Sequence, residues 1–112
     1  MSVQATQKST TAGITPTFNA GSSGGDSYQN TGNETLEFKN TNAAARVVTF
    51  VAQGPCNHGV LHNVTVTIPA NTGNVVAGPF RDLARWNDVN GRVQMTYDVN
   101  PPTGLVLAVF AG

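Results

Sequence analysis

Residues 62–80 read HNVTVTIPANTGNVVAGPF, and the first half of that stretch decides the fold class. Val64, Val66 and Ile68 are apolar, while Thr65 and Thr67 between them are polar. Successive side chains of an extended strand point to opposite faces, so the alternation dries one row and wets the other. Every residue from Val64 to Ile68 is β-branched, a shape that suits a pleated surface and loses rotamer freedom in a helix. Pro69 has no N–H to give a ladder and closes the strand. Pro-Ala-Asn-Thr-Gly then supplies a turn, and Asn74–Ala77 carries a second short strand into Gly78-Pro79-Phe80. The expected unit is a hairpin that frames a β-sandwich core.

The same period of two recurs on either side. Leu36 and Phe38 oppose Glu37 and Lys39; Val93, Met95 and Tyr97 oppose Gln94, Thr96 and Asp98. Two runs are apolar on both faces. In Arg46–Ala52, Val48 and Phe50 face one way and Val47 and Val51 the other; Leu105–Ala111 reads LVLAVFA. A strand apolar on both sides is central, or something besides its own core covers it. Arg81–Trp86 fits one helical turn, with Asp82 and Arg85 spaced to meet, and Asn90-Gly91 fits a two-residue type I′ turn. Trp86 reads as a core plug. Residues 1–33 are polar, with Ile14, Phe18 and Tyr28 the only large apolar side chains after Met1. Ile14, Pro16 and Phe18 alternate as an edge strand would, and Gly21–Gly25 reads as a hinge. The expectation is an all-β antiparallel β-sandwich, jelly-roll or Ig-like, of roughly six to eight strands over residues 34–112. Residues 1–33 form an extended N-terminal arm.

The chain has 112 residues, enough for one domain and one core. Only 11% of them are charged and the formal net charge is zero, which excludes the basic footprint of a nucleic-acid or anionic-membrane binder. Low charge also gives little protection against self-association. Cys56 is the single cysteine, so no disulfide framework is available. No apolar leader or membrane-length run is evident, and synthesis in a cytoplasm is expected.

Cys56, His58 and His62 form a Cys-x-His-x3-His loop, which raises zinc. A structural zinc takes four ligands, and the sequence holds no fourth Cys or His, so no metal or other cofactor is expected. No nucleophile elbow, P-loop, Rossmann or His-Glu-x-x-His pattern occurs, and the reading is a non-enzyme. Binding through a surface remains. Ile14, Phe18, Tyr28, Val47, Val51, Val106 and Phe110 are the contact candidates, being the apolar residues of the arm and of the second faces of the two doubly apolar strands.

Several short pieces occur together: Gly24-Gly25-Asp26, Asn40, Pro69-Ala70, Gly78-Pro79-Phe80, Asn87-Asp88, Gly91-Arg92-Val93, Tyr97 and Thr103-Gly104-Leu105. In this the chain, over roughly residues 14–110, resembles a group of small virion proteins of tailed bacteriophages. Asn71-Thr72-Gly73 stretches the first hairpin element, and Trp86 stands where Phe is commoner. The resemblance implies a capsid decoration (cement) or minor head protein made in the bacterial cytoplasm and carried on the outer surface of the virion. Its partner would be the major capsid protein, bound as a homotrimer at threefold positions, with no nucleic acid, membrane or small-molecule substrate and no catalytic residues. The competing expectation is a monomeric carbohydrate-binding or adhesion module stacking sugars on Trp86, Tyr28 or Tyr97.

Overall fold

A computed structural model describes residues 2–55, 59 and 61–112. Ten strands and one helical turn make up the regular structure of the described residues. In chain order the strands are β1 (Ser2–Gln4), β2 (Thr6–Gln7), β3 (Asn19–Ala20), β4 (Asp26–Gln29), β5 (Thr35–Asn40), β6 (Arg46–Val51), β7 (Val64–Ile68), β8 (Gly73–Ala77), β9 (Arg92–Tyr97) and β10 (Leu105–Phe110). The helical turn α1 (Leu83–Trp86) lies between β8 and β9. One sheet has the order β1-β4-β9-β6-β7 and the other β2-β10-β5-β8, with β3 also on β10. Their inward rows form one core: Tyr28, Val48, Phe50, Ile68, Val93, Met95 and Tyr97 from the first, Leu36, Phe38, Leu105, Leu107 and Val109 from the second. This two-sheet arrangement is compatible with a β-sandwich. Phe80 and Trp86 close one end of the core, their ring centroids 5.0 Å apart, with Phe80 in turn 4.5 Å from Phe50.

The strand rows fall where alternation puts them. Leu36, Phe38, Val48, Phe50, Val93 and Met95 are completely buried, and β6 and β10 are internal strands of their sheets, as doubly apolar runs require. The pairing differs from expectation in four places. The sheets are mixed, because β1 pairs β4 and β2 pairs β10 in parallel. Residues 64–77 are not a hairpin: β7 pairs β6 in one sheet and β8 pairs β5 in the other. The intervening turn is therefore an arch that carries the chain between sheets. Alternation fixes which face is buried but is blind to which neighbour a strand pairs with. The arch is held by Asn40, fully buried, whose Nδ2 donates to the carbonyls of Ala44 (3.0 Å) and Pro69 (3.2 Å). Gly73 is obligatory there, since a Cβ would lie 1.9 Å from the Pro69 carbonyl oxygen.

Third, the Asn90-Gly91 turn is not type I′. Only Gly91 has positive φ (75°), and the Gly91 N–H donates to the Asp88 carbonyl at 3.0 Å. That is a type I turn followed by a glycine bulge, fixed by Asp88, whose Oδ1 accepts from the Asn90 and Arg92 N–H groups. Fourth, Asp82 and Arg85 do not pair. The Arg85 guanidinium donates to the His62 carbonyl at 2.9 Å and lies 4.5 Å from the Trp86 ring centroid.

Residues 2–29 are built into both sheets in this structure. The chain leaves β1 in the first sheet and enters β2 in the second with only Ala5 between, so residues 2–7 strap one side of the two-sheet stack.

Candidate interaction surface

Most of the described buried polar groups are committed to holding the molecule together, the Tyr28 hydroxyl being an exception with no hydrogen-bond partner among the described residues. Asp26, completely buried, accepts from Gln4 Nε2 (2.9 Å), from the Ser22 N–H (3.0 Å) and from the Tyr97 hydroxyl. Burial, the hydrogen bond to Asp26 and its charge all push the Tyr97 hydroxyl far above the usual phenol range. Burial, followed by the charge of Glu34, does the same to Tyr28. Desolvation pulls the Glu34 carboxyl up, but hydrogen bonds from the Thr31 hydroxyl and backbone N–H (both 2.7 Å) outweigh it and leave it below the ordinary carboxylate range. None of these groups opens onto a cleft. A cleft of about 240 Å³ lies beside the arch, lined by Lys39, Asn40, Thr41 and residues 71–74, and carries no carboxylate, histidine or thiol. Cys56 and His58 lie outside the described residues; His62 is exposed, and no cluster of three metal-ligating side chains occurs among the described residues.

The seven contact candidates do not converge. Tyr28 is a core residue, fully buried on β4, and leaves the set. Its strand carries two buried polar neighbours, Asp26 and Ser27, and so shows no alternation from which its burial could be read. Phe18, Val106 and Phe110 meet on the outer face of the second sheet. Phe18 packs edge-on to Phe110 with centroids 6.4 Å apart, and Lys39 Nζ stands 4.3 Å from the Phe18 centroid. The expected need of β10 for an outside cover is thus met largely within the chain: Ala108 is 2% exposed and Val106 and Phe110 are half-buried. Ile14 is 38% exposed on the loop before Phe18.

Val47 and Val51 lie on the outer face of the first sheet, within a charge-poor surface. Their strand, β6, is flanked by β9 and β7, whose outward residues fall in register with its own. Val51 pairs Gln94, Gln94 pairs Ser27 and Ser27 pairs Val3, a row across four strands. One step along, Thr96, Thr49 and Thr65 form a row across three strands, and Val47 pairs Thr67 beyond it. Charge enters at Arg92, at Asp98 and at Asp88, whose Oδ2 accepts from Gln94 Nε2 at 2.8 Å. Uncharged side chains at the roughly 4.8 Å spacing of paired strands avoid the larger cost of desolvating charges, while each Thr hydroxyl and the Gln94 amide needs a hydrogen-bond partner when covered. Among the described residues its outer strand β7 has no strand beyond it, leaving one row of backbone N–H and C=O groups at a sheet edge. Thr49, Thr65, Thr67, Thr96 and Gln94 were not among the contact candidates. Their signal in the sequence is that the wet rows of β6, β7 and β9 carry Thr and Gln where a solvated sheet usually carries Lys and Glu.

The aromatics that a sugar platform would need are inside: Trp86 is 5%, Tyr97 6% and Tyr28 0% exposed. No helix of the described residues is long and apolar enough to cross a membrane. No family model, curated protein or solved structure matches the chain.

Proposed function

We propose that the chain is a structural virion protein of a tailed phage, a capsid decoration (cement) protein that binds the outside of the assembled head and stabilises it as trimers at threefold positions. On this reading its two sheets belong to the jelly-roll or Ig-like sandwiches, residues 1–33 act as an arm, and the partner is the major capsid protein. The observation that carries the reading is the charge-poor face of Val3, Gln94, Val51, Thr96, Thr49 and Thr65, with Asp88 bonded to Gln94 at its edge, and the β7 edge beside it. Such a face avoids the larger cost of desolvating charges and offers backbone groups for main-chain pairing, so it suits a protein partner and not a polyanion. A ligand of the assembled state alone stabilises that state by RT ln(1 + [L]/Kd), about 3–4 kcal/mol per site at 100 to 1,000 times Kd.

The test is co-sedimentation with expanded phage heads and, separately, with unassembled capsid subunits. The protein is expected to travel with heads and not with subunits, and Thr49→Lys with Thr96→Lys is expected to abolish the binding while the far-UV spectrum is unchanged. Equal binding to free subunits, or binding indifferent to charges placed on this face, would sink the proposal. The carbohydrate-binding alternative is disfavoured by the burial of Trp86, Tyr28 and Tyr97.

A further inference from the structure

The strap formed by residues 2–7 is fastened differently from the rest of the molecule. It supplies no residue to the hydrophobic core, whose members begin at Tyr28. Val3 is 53% exposed, and the single buried strap residue is Gln4, a polar one. What holds the strap is hydrogen bonding: three residue pairs with β4 and two with β10, the Gln4–Asp26 bond, and the Ser2 and Ser22 hydroxyls 2.8 Å apart. Further bonds run from the Ala111 N–H to the Gln7 carbonyl (2.7 Å), from the Ser2 N–H to the Gly25 carbonyl (3.3 Å), from Asn19 Nδ2 to Gln4 Oε1 (3.4 Å) and from the Ser27 hydroxyl to the Ser2 carbonyl (3.5 Å). Segments held by edge hydrogen bonds and without core packing open at a small fraction of the global unfolding free energy. The position they leave is demanding: the buried Asp26 carboxylate loses a donor, and the edge of β10 is uncovered.

The connection to the body is longer than the fold requires. Gln7 sits opposite Phe110, and Asn19 sits opposite Leu107 on the same edge of β10. Three residues of strand separate those points, about 10 Å. The chain bridges them with residues 8–18, and every residue from Lys8 to Thr17 is exposed. The base of this loop is clipped by the Gln7 side chain, whose Nε2 and Oε1 bond the Thr17 carbonyl and N–H, both at 2.8 Å. Eleven residues pulled straight reach about 36–40 Å. The molecule measures 38 × 36 × 21 Å, so the slack matches its width.

We propose that residues 2–7 are an exchangeable strap, which in the oligomer pairs with β4 and β10 of a second copy of this chain while residues 8–18 extend as the hinge. Exchange keeps the pairing of the strap with β4 and β10 and its Gln4–Asp26 bond, and gives up the Gln7–Thr17 clip and the Phe18–Phe110 packing of the hinge. The choice is therefore set by those losses, by local concentration and by how the hinge prefers to lie. Each copy gives its strap to the next and receives one, and a cyclic arrangement satisfies every edge without growing into a fibre. The occupant of the edge is a copy of this chain because Gln4 and the parallel register already fit it in this structure. The inference holds whatever surface the oligomer decorates.

Two single-cysteine chains test it, both carrying Cys56→Ser: Ser2→Cys in one and Ser22→Cys in the other. Neither can form a disulfide within itself. The two are mixed, unfolded, refolded together at high concentration, oxidised, and separated without reductant. The hydroxyls they replace touch, so exchange is expected to give the mixed dimer in excess of either symmetric dimer, on the order of tenfold, as disulfide geometry is selective. Deleting residues 10–15 shortens the hinge below the width of the molecule, keeps Gln7 and Thr17, and is expected to remove that excess with the fold intact by circular dichroism. A mixed dimer no commoner than the symmetric ones, or one unchanged by the deletion, would overturn the proposal. Head binding by a chain that shows no exchange would leave the decoration reading standing and this one refuted.

Discussion

At the scale of single residues, the decisive group is the buried Asp26 carboxylate. Asp26 gathers Gln4 from the strap, Tyr97 from β9 and the Ser22 amide from the turn before β4. Asp26→Ala leaves those donors buried and unpaired, and is expected to lower the unfolding free energy by about 3 kcal/mol, read as a fall in urea midpoint at unchanged slope. Tyr97→Phe removes one bond and is expected to cost about 1–2 kcal/mol. Glu34 adds a pH dependence. Its folded carboxyl lies below the ordinary range, so its contribution is complete above the unfolded value near 4.3 and is lost as pH falls through the depressed one. Stability should therefore decline on acidification below about pH 4, and Glu34→Gln should flatten that decline, leaving the part contributed by Asp88, which is lowered in the same sense. Little of this was legible in the sequence. Asp26, Ser27 and Tyr28 are buried in succession, which no period-two pattern announces, because Asp26 is satisfied by Ser22, Gln4 and Tyr97 and Ser27 by the Ser2 carbonyl, groups that the fold brings together.

At the scale of elements, the sequence was most readable where a strand has one wet and one dry row. Leu36 with Phe38, and Val93 with Met95, went to the core as their alternation requires. Partner choice was not readable, because a strand followed by Pro-Ala-Asn-Thr-Gly can fold back within its sheet or cross to the other with the same buried face. The arch that results depends on Gly73. Gly73→Ala drives a Cβ into the Pro69 carbonyl and is expected to cost more than about 2 kcal/mol, whereas Gly13→Ala, with φ at 86° but nothing within 4 Å, should cost only about 1 kcal/mol. Thermal denaturation of the two variants side by side measures the difference. Phe18 is a second element-level case. It was read as a contact for another chain, yet it lies against Phe110 of its own. Phe18→Ala is expected to uncover the outer face of β10 and raise binding of a hydrophobic dye without unfolding the core.

At the scale of the whole molecule, a chain with little charge has hidden most of its apolar strand surface by folding residues 2–29 back on itself. What it leaves outside is a surface of threonines, glutamines and half-buried valines on the β6–β9 side. Both the decoration reading and the exchanged strap require that this molecule does not stay alone. Composition points that way in outline, through 11% charged residues, but is silent on the surface itself, which exists only once β4, β9, β6 and β7 lie in register. Sedimentation equilibrium of the full chain over a range of concentrations tests the claim most directly. A trimer, with three times the 11.7 kDa mass of the chain, is the expected result. A species that keeps the mass of one chain up to its solubility limit would contradict it.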